Sequence, residues 1–349
     1  MKGLRVPKND GEEVRKTLLE FGFLNKKFEI EKNKDFLIFP LKDLKEDSSI
    51  IKDYEIIEFD PNKIERSPRN YKEVLKADSD LKIPEDLWNE LPSSYDLIGD
   101  IAVIDFPDNL KDYEEFIGEA LLRAHSNIKT VLSQKSPVSG EFRVRGLKVV
   151  AGEKRTETIH REHGIELKLD LNEVYFTPRL STERWRVTKM VNGVENVIDM
   201  FAGVGPFSIM IAKHNSNGSN LKRVEAIEIN SEAFSYLLDN IERNNVGNIV
   251  NPHEGNARDI IENLKQSDRI IMNLPWKSDE FLDLALTKIN DNGVIHYYTF
   301  TEDVSNSKKN IENKVRDLNL DIEIEFLNTI KLRSYSKNID NFVFDLKVI

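Results

Sequence analysis

The sequence predicts an α/β protein, with a doubly wound parallel sheet in its C-terminal half preceded by two smaller α+β domains. Beyond about Val187, short continuous apolar runs (NVIDMF, RVEAIEI, DRIIMNLP, GVIHYYTF) alternate with helical patterns (FSIMIAKHN, SEAFSYLLDNIERNN, FLDLALTKI), as expected of strands covered on both faces by helices. A glycine-containing turn follows the first of these strands. Upstream, two clusters of strand-like and amphipathic stretches flank a segment broken by prolines.

Residues 1–65 combine the helical pattern GEEVRKTLLEFGFL with strand-like runs at FEIEKN, DFLIFP and YEIIEF, and read as a small N-terminal module. Residues 66–92 carry three prolines and frequent charges, and read as a partly helical linker. A middle α+β domain spans 93–186, with strands at YDLIGDIAVIDF and TVLSQ, a helix over NLKDYEEFIGEALLRAH, and a hairpin turning at His163-Gly164. The sheet domain occupies 187–349.

At 349 residues, and roughly 150 residues per domain, two to three domains are expected. Apolar residues make up 39% and charged residues 32%, mean hydropathy is -0.47, and no apolar run approaches the roughly 20 residues of a membrane span. No membrane partner is therefore expected. Charges in MKGLRVPKNDGEEVRK occupy the place of a secretory signal's apolar segment, so a cytoplasmic location is expected. The absence of cysteine excludes disulfides, thiolate metal sites and thiol nucleophiles.

Net charge is -11, the wrong sign for indiscriminate coating of nucleic acid. Residues 121–190 nevertheless hold 14 Lys+Arg against 8 Asp+Glu. A basic centre between acidic flanks suits selective binding of a polyanion.

The sharpest local motif is Asp199-Met-Phe-Ala-Gly203-Val-Gly205-Pro-Phe, between a strand and a helix starting near Pro206. Its glycines permit a tight turn and close approach to a ligand beyond the strand's carboxyl end. A dinucleotide fingerprint would place Gly or Ala at position 208, where Ser208 stands. A carboxylate at Asp199 disfavours a pyrophosphate and can attract the ammonium of a methionine moiety, while Glu228 ends the next strand where an acid can accept ribose hydroxyls. Together they favour S-adenosylmethionine over NAD. The plainer alternatives are a turn-forming Asp199 and a solvated Glu228.

In DRIIMNLPWKS, Asn273, Pro275 and Trp276 close another strand. An amide, a stiff turn and an aromatic face resemble the Asn-Pro-Pro-aromatic motif of methyltransferases acting on planar nitrogens, with Leu274 departing from it. The basic unit adds GEFRVR with Arg143, AGEKRT, and YFTPRLSTER with Tyr175, Arg179 and Glu183. Arginines can fork onto phosphates or guanine edges, and the plainer reading is a solvated basic face. His160 and His163, with Glu157 and Glu162, invite a metal reading, but the segment reads as strand and turn and no metal is expected.

Over nearly its whole length the sequence resembles the archaeal and eukaryotic tRNA (guanine-N1)-methyltransferases that modify guanosine 37. GEFRVR, AGEKRTETIHREHG, VYFTPRLSTER, VIDMFAGVGPFSI, NLPWKSDEFLD and GVIHYYTF carry the resemblance. It implies an N-terminal domain on the outer corner of tRNA, a middle domain near the anticodon, and a class I, Rossmann-like methyltransferase domain binding S-adenosyl-L-methionine, acting as a monomer on tRNA with G37. By resemblance, Arg143 positions the guanine and stabilises charge on it, Glu183 is the general base, Asn273 lies near the base, and Tyr175 and Arg179 line the site. Glu228 is the ribose partner, and Asn256 stands on the adenine side where an aspartate is common. Phe201, Ile229 and Pro275 complete the expected cofactor contacts with Asp199, Gly203, Gly205 and Asn273.

Guanine N1 carries a proton and its lone pair is delocalised, so methyl transfer requires a base, with Arg143 offsetting charge on O6. The nucleotide is expected to flip into the pocket, with Tyr175 or Trp276 as stacking faces. The alternatives are aminocarboxypropyl or methyl transfer in wybutosine-type modification of position 37, a non-catalytic RNA-binding module, and an NAD-dependent dehydrogenase.

Overall fold

The computed structural model describes residues 1–42, 53–62, 70–78, 83–134, 146–191, 195–215 and 222–349. They divide into two units, Met1–Arg69 and Asn70–Ile349. In the first, β1 (Lys2–Pro7) is followed by α1 (Gly11–Glu20), β2 (Glu31–Lys32), β3 (Phe36–Pro40) and β4 (Glu55–Glu58), forming one sheet of order β2-β3-β1-β4. Val14 and Leu18, one turn apart on α1, pack with Leu4, Val6 and Phe39 into its core.

The second unit opens with α2 (Tyr71–Ala77), capped by the Asn70 side chain, which accepts the Glu73 N–H at 3.0 Å. It continues through β5 (Asp96–Ile98), β6 (Ile101–Ile104), α3 (Glu114–Ala124), β7 (Thr130–Gln134) and β8 (Leu147–Gly152), a sheet of order β5-β6-β7-β8. Tyr71, Val74, Leu75 and Leu91, within the expected linker, are buried against Ile104, Ile117 and Leu121. That stretch therefore belongs to a core, because its apolar residues recur at helical spacing and have a face to cover.

Next come β9 (Glu157–Glu162) and β10 (Ile165–Asp170), joined by His163 at φ 42° and Gly164 at φ 79°, the two positive angles of a tight hairpin. The inward face of β10, Ile165, Leu167 and Leu169, joins the core under the large sheet. Asn240 and Asn244 fasten the same strand through its backbone at Lys168 and Glu166.

After α4 (Ser181–Met190), the large sheet is built from β11 (Asn196–Asp199), α5 (Pro206–Asn215), β12 (Arg223–Glu228), α6 (Ser231–Arg243), β13 (Val250–Glu254), α7 (Ala257–Ile261), β14 (Ser267–Met272), α8 (Leu282–Lys288), β15 (Ile289–Thr301), α9 (Val304–Asp317), β16 (Ile324–Ser334) and β17 (Asp340–Val348). Its order is β13-β12-β11-β14-β15-β17-β16. The first five strands are parallel, as expected, whereas β17 is antiparallel to both its neighbours. Fully buried runs such as Ile270-Ile271-Met272 explain the parallel half, covered on both faces. Among the described residues, no helix is long and apolar enough to cross a membrane.

Candidate functional site

The chain crosses from one half of the sheet to the other between β11 and β14, the switch point beyond which ligands bind in such folds. A cavity of about 430 Å³ opens there. The turn after β11 (Phe201, Gly203), the end of β12 (Glu228, Ile229), the start of α7 (Asn256), the turn after β14 (Asn273, Pro275, Trp276) and Tyr175 all contribute to its wall. Nine of the residues singled out in the sequence thus meet, from segments spread over about 100 positions of sequence.

Gly203 has φ 56°, and a Cβ placed on it would meet no atom within 4 Å. Backbone and open space there fit a ligand lying against the turn. Glu228 Oε2 accepts the Gly203 N–H at 2.7 Å and Oε1 accepts the Asn230 N–H at 2.8 Å, so the acid both pins the turn and faces the cavity. Burial raises its carboxyl above the ordinary range, opposed by those N–H groups. Asn256 Oδ1 accepts the Arg258 N–H at 2.9 Å as the cap of α7, which leaves the amide NH₂ as its donor toward the cavity. Ile229 is 45% exposed, an apolar surface suited to a purine face.

Four expected residues stand elsewhere, and Arg143 lies outside the described residues. Asp199 is wholly buried and is not part of the cavity wall. Its Oδ2 accepts the Ser208 hydroxyl at 2.7 Å while Oδ1 has no hydrogen-bond partner, and burial pushes its carboxyl up to about 7. It ties the turn to α5; a direct contact with a ligand ammonium is not what this placement provides. Gly205, at φ 90°, is required by packing, since a Cβ would lie 2.6 Å from Leu237 Cδ1. Arg179 donates to Asp96 Oδ1 at 2.7 Å, an exposed ion pair outside the wall.

Glu183 is 5% exposed and is not among the residues lining the cavity. Arg186 donates to both of its oxygens at 2.7 and 2.8 Å, and the Tyr298 hydroxyl donates to Oε1 at 2.7 Å. Arg186 also donates to both oxygens of Asp345, at 2.7 and 3.1 Å. Its guanidinium is thus shared between two carboxylates, and the trio carries one negative charge in excess. His296 Nε2 faces the Arg269 guanidinium at 2.8 Å and must accept there, so Nδ1–H donates to Asp345 at 2.6 Å. Tyr298, Asp345 and His296 were invisible as partners because they come from strands more than 100 residues downstream of Glu183.

The histidine pair has other occupations. His160 Nδ1 accepts the Gly99 N–H at 3.2 Å, and His163 stacks on Trp185 at 4.9 Å. Arg184, the last residue of YFTPRLSTER, lines the cavity paired with Glu162 at 2.5 Å, and Phe300, Arg333, Tyr335 and Asn341, none of them expected as site residues, line it too. The basic and aromatic segment LRSYSK was the signal for two of these.

Three family models match in succession: the tRNA methyltransferase 5 N-terminal domain over residues 3–49, the TYW2 N-terminal domain over 71–156, and the TRM5/TYW2 methyltransferase domain over 158–324. The tRNA (guanine(37)-N(1))-methyltransferase Trm5b of Pyrococcus abyssi (strain GE5 / Orsay) is 41% identical, over 99% of this chain and 98% of its own. The solved complex of aTrm5 and tRNALeu superposes with a TM-score of 0.81 at 33% identity, covering 99% of each chain. A tRNA(Phe) (4-demethylwyosine(37)-C(7)) aminocarboxypropyltransferase of Pyrococcus horikoshii (strain ATCC 700860 / DSM 12428 / JCM 9974 / NBRC 100139 / OT-3) is 31% identical, over 76% of this chain and 93% of its own. With a full-length relative at that identity, and a cavity at the switch point of a methyltransferase sheet, the chain belongs to the archaeal-type Trm5 tRNA methyltransferase family.

Proposed function

We infer that this enzyme transfers a methyl group from S-adenosylmethionine to N1 of guanosine 37 in tRNA. The observation that carries the reading is the meeting of Gly203, Glu228, Asn256 and Asn273 around one cavity, in a chain with a guanine-37 methyltransferase relative along its full length. When bound, S-adenosylmethionine supplies an electrophilic methyl group on a sulfonium. Glu228 then accepts from the ribose hydroxyls, Ile229 covers a purine face, and the Asn256 amide donates to the adenine edge. Asn273 and Pro275 border the space for the acceptor base, with Tyr175 or Trp276 as its stacking face.

The N1 proton goes to Glu183, whose carboxylate exchanges one of its present donors for the guanine N1–H. The shared guanidinium favours this: once Glu183 is neutral, Arg186 remains paired with Asp345 and no buried cation is left uncompensated. Arg143 offsets the charge on O6, and Arg179 braces the segment that carries Tyr175. The enzyme acts as a cytoplasmic monomer, the first point checked in solution by light scattering.

Incubation with S-adenosylmethionine and unmodified tRNA bearing G37, followed by nucleoside digestion and mass spectrometry, tests the reaction. N1-methylguanosine at position 37 is expected. A mass gain matching aminocarboxypropyl transfer, or no product, overturns it.

A further inference from the structure

Arg333, near the end of β16, and Asn341, near the start of β17, are opposite one another in the antiparallel ladder, and both line the cavity. Asn341 is 2% exposed, yet its Oδ1 has no hydrogen-bond partner; Arg333 Nε is also buried without one. Among the described residues, Arg333 makes no ion pair. An acceptor and a donor thus stand side by side in a cavity wall without satisfying each other. Buried polar groups are seldom left so unless a ligand or water completes them.

The position narrows the ligand. The cofactor-facing residues lie at the ends of β11, β12 and β13, whereas this pair lies beyond β14 and β15, on the acceptor's side. Trp276, Phe300 and Tyr335 pack together at the same cavity, with ring centroids 4.3 to 5.0 Å apart, and Trp276 and Tyr335 are about half exposed. Such faces suit a planar base. The pair itself requires a group that donates to Asn341 Oδ1 and accepts from Arg333 Nε. Phosphate oxygens only accept and an ammonium only donates. A nucleotide's sugar edge does both, through the 2-amino and N3 of guanine or through the ribose 2′-hydroxyl.

We propose that Arg333 and Asn341 form a donor–acceptor pair that reads the sugar edge of the nucleotide entering the cavity. The proposal rests on the reading that the target guanosine occupies this cavity. It adds a recognition element contributed by the terminal hairpin of the sheet.

The test measures single-turnover methyl transfer, at limiting tRNA, for wild type, Asn341→Ala and Arg333→Ala. Substrates carry guanosine, inosine (no 2-amino) or 2′-deoxyguanosine at position 37. Wild type should lose roughly 10-fold or more with one of the two analogues, which identifies the group read. Asn341→Ala should be slowed on guanosine by a similar factor, and should treat guanosine and that analogue within about twofold of each other. Asn341→Ser and Arg333→Lys are measured alongside, and decide the matter if either alanine variant fails to bind S-adenosylmethionine. Wild-type rates in the variants, or the same analogue penalty with and without Asn341, overturn the proposal and leave the pair holding only water. A wild-type protein that does not methylate G37 overturns the reaction and the pair together, whereas an active wild type with unaffected variants overturns the pair alone.

Discussion

Replacing Glu162 by glutamine should cost the fold about as much as any single polar change in the molecule. Arg184 Nε and Nη2 donate to its two oxygens at 2.5 and 2.7 Å, with side chains 2% and 5% exposed, and the same guanidinium donates to Thr177 O at 3.2 and 3.3 Å. Removing one partner of such a pair strands a buried charge, at about 3–5 kcal/mol. A second route gives a similar figure. Burial alone would raise the Glu162 carboxyl, but hydrogen bonds from His160 and Arg184 and the guanidinium's charge bring it from 4.5 down to about 2. At about 1.4 kcal/mol per pH unit, that is about 3 kcal/mol. The sign follows from which state takes up the proton first. Above pH 4.5 both states are ionised and the contribution is complete; as pH falls from 4.5 toward 2, the unfolded chain is protonated earlier and the contribution drains away. Urea unfolding of wild type and Glu162→Gln should therefore differ by about 3 kcal/mol at pH 7 and at pH 5.5, and converge below pH 4.5. A difference under about 1 kcal/mol at pH 7, or one that holds constant down to pH 3, would refute the reasoning.

Three further outcomes are expected. Glu183→Gln should slow methyl transfer by about 100-fold or more while equilibrium dialysis shows unchanged S-adenosylmethionine affinity; a near wild-type rate would assign proton removal to another group. Gly203→Ala should weaken S-adenosylmethionine binding more than it lowers the melting temperature, because its Cβ enters open space at the cavity, whereas Gly205→Ala should reverse that order, costing about 1–3 kcal/mol through overlap with Leu237 and Ile209. Asp199, pushed by burial to about 7 from an ordinary 3.8, makes the ligand-free fold lose stability as pH rises from about 4 to about 7, with no further loss above that; Asp199→Asn should flatten that slope in thermal melts, and an unchanged slope would place its origin elsewhere.

Local chemistry was legible and long-range pairing was not. The run VIDMFAGVGPF contained its own strand, turn and helix start, with Pro206 at the first helical position, and the hairpin at His163-Gly164 follows from two residues that tolerate positive φ. The same holds for the turn at Asn273. What a carboxylate faces depends instead on which distant strand lies beside it. Asp199 reads as a ligand contact until Ser208 is seen to receive it in the interior. Glu183 is marked as the base by resemblance alone, and its surroundings become visible only when Tyr298 arrives from β15 and Asp345, from β17, is seen to share Arg186 with it. Asn341 carried no local signal, since its meaning comes from a ladder register with Arg333 and from the cavity both border. The expected linker failed in the same way: prolines and charges mask a set of apolar residues whose partners lie on α3.

The antiparallel β17 has a consequence for synthesis. Its residues Val343, Phe344 and Leu346 are wholly buried, yet it enters between β15 and β16, which are made earlier. Until residues 340–348 clear the ribosome, those two older strands have bare hydrogen-bonding edges facing a gap, and Arg186 has one carboxylate fewer to hold. A chain in this state is a target for chaperones, and a chain truncated just before Asp340 should be sticky and protease-sensitive.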